Sequence, residues 1–159
     1  SNLVQPANLN SPVQTVIAGY KESVDIVSKN SLAAGAKKAV VLPVSAPFHS
    51  ALMKPAEIKL EKVLEDTEFN DLSFPIINNI EAKPITKGKE ARESLVKQVC
   101  SPVRWTETMK SIIDHKVNTV VELGSGKVLS GLMKRFDKSI NCYQVSDRES
   151  LSQTLSALN

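Results

Sequence analysis

Residues 39 to 56, Ala39-Val40-Val41-Leu42-Pro43-Val44-Ser45-Ala46-Pro47-Phe48-His49-Ser50-Ala51-Leu52-Met53-Lys54-Pro55-Ala56, hold the strand-to-helix step on which the fold reading turns. The run Ala39 to Val44 reads as a buried strand, and Pro47, with no N–H to give to a ladder, breaks it. Met53, Ala56, Leu60, Val63 and Leu64 follow at helical spacing with Pro55 in the first turn, which predicts a helix from Met53 to about Asp66. His49 then falls on the connection between the two elements. Catalytic side chains are disproportionately carried on such loops.

Outward from this step the pattern alternates. Val13 to Ala18 reads as a strand and Lys21 to Ala34 as a helix closed by Gly35. Downstream, Phe74 to Ile80 reads as a strand and Glu90 to Val99 as a helix. A further helix runs from Trp105 to His115, with Trp105, Met109, Ile112 and Ile113 on one side. Thr119 to Leu123 has the look of a fully buried strand, followed by a glycine turn and a helix beginning near Lys127. Asn141 to Val145 is a last strand, and Leu151, Leu155 and Leu158 line a terminal helix. This alternation predicts an α/β fold with a largely parallel sheet.

Composition narrows the function classes. A chain of 159 residues with 42% hydrophobic content can bury one core, alone or with a small appendage. Apolar runs are strand length, far short of the roughly 20 residues of a spanning helix, and the start carries no signal-peptide pattern. Cys100 and Cys142 are far apart, and with two His there is no spaced ligand set for zinc, so no metal is expected. Unpaired cysteines suit a reducing cytoplasm. The charge of +3 comes from 20 basic and 17 acidic residues mixed along the chain, and aromatics are 4%, which argues against a nucleic-acid binder. The densest basic cluster is Lys127, Lys134, Arg135 and Lys138, beside a helix face of Val128, Leu129, Leu132, Met133 and Phe136. It reads either as solvated surface or as a docking face for an acidic carrier protein or for the phosphates of coenzyme A.

The glycine turn is not a nucleotide loop. A dinucleotide fingerprint starting at Gly124 requires glycine at position 129, which is Leu129. A Walker loop requires glycine at 121 and Ser or Thr at 128, which are Val121 and Val128. A turn letting the strand pack close to the helix accounts for Gly124 and Gly126.

Four segments occur in order: Asn8-Leu9-Asn10-Ser11-Pro12-Val13-Gln14-Thr15-Val16-Ile17-Ala18-Gly19, then Val44-Ser45-Ala46-Pro47-Phe48-His49-Ser50-Ala51-Leu52-Met53-Lys54-Pro55-Ala56, then Leu95-Val96-Lys97-Gln98 with Pro102-Val103-Arg104-Trp105, then Val121-Glu122-Leu123-Gly124-Ser125-Gly126-Lys127-Val128-Leu129-Ser130-Gly131-Leu132. Together they resemble the malonyl-CoA:acyl carrier protein transacylases, over nearly all of this chain but only about the C-terminal half of the family's. The resemblance implies part of an α/β-hydrolase-like core with part of an inserted ferredoxin-like small subdomain, residues 1–46 closing the subdomain and 47–159 returning to the core. It also implies a Ser/His ping-pong transfer of malonyl from coenzyme A to the phosphopantetheine thiol of acyl carrier protein, with no cofactor and malonyl-CoA as substrate.

The family's nucleophilic serine, in a Gly-His-Ser-Leu-Gly elbow, and its malonyl-binding arginine belong to the other half. No Gly-x-Ser-x-Gly occurs here, and Gly124-Ser125-Gly126 lacks the elbow's spacing. The missing N-terminal half is therefore an expected partner, and a start at Ser1 suits a truncated or nicked piece.

On this resemblance His49 is the catalytic base and Gln98 matches the residue whose main-chain carbonyl holds the other ring nitrogen. Asn10 and Gln14 would face the site from the small subdomain. Read from the residues alone, His49 is a satisfied polar side chain, Gln98 a helix-surface glutamine, and Asn10 part of a turn. His115 reads as helix-end stabilisation. Asn78 and Asn79 interrupt an apolar strand end, as site-rim residues or as caps for exposed backbone. Two other functions stay in view: a polyketide-synthase-type acyltransferase domain, whose segment before the histidine commonly reads Tyr-Ala-Phe-His or His-Ala-Phe-His, and a non-catalytic carrier-protein-binding module.

Overall fold

The computed structural model describes residues 2–158; Ser1 and Asn159, the outer bounds of the two expected domains, lie outside the described residues. The chain is mixed α/β and divides into two compact units, one running to Thr108 and one from Met109.

The first unit opens with a hairpin, β1 (Val4–Ser11) against β2 (Gln14–Gly19), antiparallel, with register shifts between Pro6 and Asn8 and between Leu9 and Ser11. The sequence pattern anticipates β2 but not β1. Pro6, Asn8 and Asn10 spoil the alternation of β1, and bulges absorb them. Helix α1 (Lys21–Ala33) follows and ends where Gly35 takes φ +101°, the left-handed step that favours glycine.

The segment 39–44 is a correction. It forms no strand, and Val40, Val41, Leu42 and Val44 are all exposed, Val41 to 77%. β-propensity alone cannot make a strand: a ladder partner is required, and among the described residues none pairs here. A single 3₁₀ turn (Ala51–Met53) then leads into α2 (Lys54–Glu65), started by Pro55 as the spacing predicts.

The expected strand over 74–80 shrinks to β3 (Ile76–Ile77), antiparallel to β4 (Pro84–Ile85). Pro75 withholds an N–H before it. After it, the side chain of Asn78 accepts from Glu81 N–H at 2.8 Å and its carbonyl accepts from Ala82 N–H at 3.0 Å, turning the chain. Helix α3 (Gly88–Gln98) and helix α4 (Trp105–Asp114) match their predicted spans closely, the division between the units falling inside α4. Ala7, Ala82, Ile85 and Ala91 are the buried apolar residues of the first unit.

The second unit holds a parallel strand pair, β5 (Thr119–Leu123) beside β6 (Asn141–Val145), from Thr119 opposite Asn141 to Leu123 opposite Val145, and in the first unit Asn8 makes a single parallel bridge to Val103. The largely parallel sheet expected from alternation is therefore limited to two strands; the other pairs are antiparallel hairpins. β5 is also not fully buried, since Leu123 is 78% exposed. Helices α5 (Val128–Phe136) and α6 (Arg148–Leu158) complete the unit, with Leu132, Met133 and Ile140 buried.

Candidate active site

His49 sits on a tight turn held by its neighbour. Ser50 is fully buried and its hydroxyl donates to Pro47 O at 2.7 Å, while Ser50 O accepts from Met53 N–H at 2.9 Å. Ala51 N–H donates to the side-chain oxygen of Gln5 at 3.2 Å, tying the turn to β1. The backbone of His49 itself lies at φ +59°, a region that costs a non-glycine residue about 1–3 kcal/mol and persists only where the surroundings impose it.

The surroundings do so through the ring. His49 Nδ1 lies 3.0 Å from Gln98 O and 3.2 Å from Ser101 O. Both partners are carbonyl oxygens and accept only, so Nδ1 must carry the proton and donate it between them. In the neutral ring Nε2 then bears the lone pair. This geometry produces an imidazole that can take a proton from a hydroxyl; among the described residues no hydroxyl hydrogen-bonds to Nε2.

The segment supplying these carbonyls is well anchored. β1 pairs with it at Val103, Leu9 N–H donating to Val103 O and Val103 N–H to Ala7 O, each at 2.8 Å; Thr106 Oγ1 donates to Leu9 O at 2.9 Å. Sequence reasoning reached Gln98 by family likeness but missed Ser101, because a main-chain acceptor leaves no trace in residue type. Asn10, half-buried in β1, and Gln14, exposed at the start of β2, flank the hairpin turn, and neither hydrogen-bonds to His49.

Beside the site, Glu57 is buried on α2 and takes a hydrogen bond from Lys54. Burial, and then Glu57, push the Cys100 thiol up to about 11, while the Cys100 thiol and Lys54 hold the Glu57 carboxyl below its usual range.

Other sequence candidates resolve locally. Asn78 is a turn cap, and Asn79 donates to the Gln98 side-chain oxygen at 3.3 Å. His115 Nδ1 lies 2.7 Å from Ser111 O at the end of α4, as the helix-end reading predicts. The glycine turn differs from expectation in its cause: Gly124 and Gly126 have φ +128° and +92°, and an added Cβ would meet nothing within 4 Å at either. The backbone conformation, not close packing, demands them. Glu122 fills the N-terminus of α5, accepting from Leu129 N–H at 3.0 Å and Ser130 N–H at 2.8 Å, so a carboxylate already occupies the place a phosphate would take. A cavity of about 630 Å³ in the second unit is lined by Lys127, Lys134, Gln144 and Gln153 among others, so part of the basic cluster faces a concave surface.

This mixed α/β chain holds a histidine in its Nδ1–H tautomer, with no hydrogen bond to Nε2 among the described residues, and such a side chain is chemically able to assist a nucleophile by proton transfer. No family model matches the chain. Individual relatives do: it is 43% identical over 157 residues to the malonyl CoA-acyl carrier protein transacylase of Bacillus subtilis, covering 99% of this chain and 50% of that protein. A malonyl-transacylase solved in complex with a type II PKS acyl-carrier protein superposes with a TM-score of 0.94 at 45% identity, covering 98% of this chain and 50% of that one. The acyl-carrier-protein S-malonyltransferase of Burkholderia pseudomallei superposes with a TM-score of 0.92 at 39% identity, over 97% of this chain and 50% of that one. The chain is thus a homologue of the malonyl CoA-acyl carrier protein transacylases and spans about half the length of the curated relatives it matches.

Proposed function

We propose that the full-length protein moves a malonyl group from coenzyme A to the phosphopantetheine thiol of acyl carrier protein in fatty acid synthesis, in the cytoplasm, and that this chain supplies the base. The observation that carries the reading is the pair of main-chain carbonyls on His49 Nδ1, which leaves Nε2 as the proton acceptor without a carboxylate beside it. The nucleophilic serine and the malonyl-binding arginine come from the half that the relatives carry beyond this chain. In the first step the serine hydroxyl proton passes to Nε2 as its oxygen attacks the thioester carbon. The C–S bond breaks, the departing sulfur of coenzyme A takes the proton, and a malonyl-serine ester remains. The carrier thiol then gives its proton to Nε2, its sulfur attacks the ester, and the serine oxygen leaves with the proton. Such base assistance contributes roughly 10²- to 10⁴-fold. No cofactor takes part.

In this reading Gln98 is the holder of the tautomer, and Asn10 and Gln14 contact substrate from the small subdomain. Residues 1–46 close a ferredoxin-like subdomain and 47–159 belong to a hydrolase-like core; likeness to the transacylase chains supports this map. The likeness to a transacylase solved with a type II PKS acyl-carrier protein favours a second reading, in which the acceptor is a polyketide carrier. Relative transfer rates to the two kinds of carrier separate them.

The test is intact-mass spectrometry of the full-length protein with malonyl-CoA, followed by addition of carrier protein bearing its phosphopantetheine arm. Gain and then loss of a malonyl group is expected. A full-length protein that binds carrier tightly but never gains malonyl would instead be a binding module.

A further inference from the structure

The loop from Gln98 to Arg104 presents both carbonyls to His49, and a second element grips it at each end. At one end, Asn79 Nδ2 donates to the Gln98 side-chain oxygen at 3.3 Å. At the other, Arg104 Nη1 donates to Ile80 O at 2.9 Å. Asn79 and Ile80 are adjacent residues of the turn between β3 and β4, and that turn is itself closed by Asn78, whose side chain and carbonyl both accept from its far side. Arg104 is held in place by a two-point pair with Glu107, Nε to Oε1 at 2.7 Å and Nη2 to Oε2. Its planar fork can span the carboxylate and the Ile80 carbonyl together, which a lysine ammonium cannot.

We propose that the turn 78–82 is a clamp on the carbonyl loop, with Asn79 and Arg104 as positioning residues that set the two acceptors at His49 Nδ1. The inference rests on the reading of His49 as the base and adds the device that fixes its tautomer. A bifurcated bond to two carbonyls on one short loop tolerates little drift: if either end slackens, one acceptor withdraws, and the ring is free to turn or to exchange its Nδ1–H tautomer for Nε2–H. The Nε2–H form cannot accept a proton. The side chains of Asn79 and Arg104 make no hydrogen bond to the ring and act through the loop.

The test uses the full-length enzyme with Asn79→Ala, Arg104→Lys and the double variant, and His49→Ala in parallel. Each single variant is expected to lower kcat by about tenfold with KM for malonyl-CoA within about twofold, since misplacement of a catalytic group acts on the chemical step. The double variant should lose less than the product of the singles, because both act through one loop. Ring ¹⁵N shifts of His49 should report a smaller Nδ1–H share in each variant that remains folded by circular dichroism. Parental kcat in both singles, or losses that multiply while the ¹⁵N shifts keep the parental tautomer, would overturn the clamp. Undiminished activity in His49→Ala would instead sink the underlying assignment of the base, so the two failures are distinguishable.

Discussion

Replacing Glu122 perturbs the start of α5 in a way whose size can be worked from two bonds. Its carboxylate accepts from the amides of Leu129 and Ser130, the second and third residues of the helix, while Lys127 at the cap position contributes no side-chain bond. Loss of a capping acceptor costs about 1 kcal/mol, with a range of about 0.5–2. A negative charge at a helix N-terminus adds roughly 0.3–1 kcal/mol. Glu122→Ala should therefore destabilise by about 1–2 kcal/mol, and Glu122→Gln, which keeps one oxygen, by about half as much. Burial acts to raise the carboxyl, but hydrogen bonds from the start of α5 more than offset it, and the group titrates below its usual range. A carboxyl lowered on folding stabilises the protein fully above its unfolded pKa and stops doing so as pH falls through the folded one. The cap should accordingly hold at neutral pH and fade below the ordinary carboxylate range near 4.5. Hydrogen exchange at the Leu129 and Ser130 amides, with denaturant melts at neutral and acid pH, reads both effects. Parental exchange at these amides in Glu122→Ala, or a variant deficit that persists unchanged at low pH, would refute the capping account.

Cys100, its thiol pushed up to about 11 by burial and then by Glu57, should alkylate far more slowly at pH 8 than an unperturbed thiol, and Glu57→Gln should speed it; peptide mapping after iodoacetamide checks both. On the proposed function, transfer to carrier protein should weaken with salt more than transfer to free pantetheine if Lys127, Lys134, Arg135 and Lys138 face an acidic partner, since such contacts are screened over about 10 Å at 0.1 M salt; equal salt slopes would leave the cluster as solvated surface.

The helices were legible because their signals are local. Pro55 at the start of α2, Gly35 beyond α1 and the apolar side of α4 each announce an element within a few residues. Strands were legible only where a partner exists. Val40 to Val44 has the composition of β5, yet β5 pairs with β6 and Val40 to Val44 pairs with nothing among the described residues. Pairing is a nonlocal fact that residue type does not carry. The site divides the same way: His49 could be singled out by its position between elements and by family likeness, whereas Ser101 acts through its carbonyl, which every residue possesses. Asn79 stood out as a polar break in an apolar run. Its attachment to Gln98 became visible only in three dimensions.

The central claim, that His49 accepts the proton, is tested most directly by the rate of malonyl transfer in full-length His49→Ala. The account predicts a loss of roughly 10²- to 10⁴-fold with the circular dichroism of the parent and a modestly lower melting temperature, because the substitution removes the base and also the donor to the Gln98 and Ser101 carbonyls, while the fold remains. A folded His49→Ala protein that forms malonyl-enzyme and delivers it to carrier at the parental rate would contradict it.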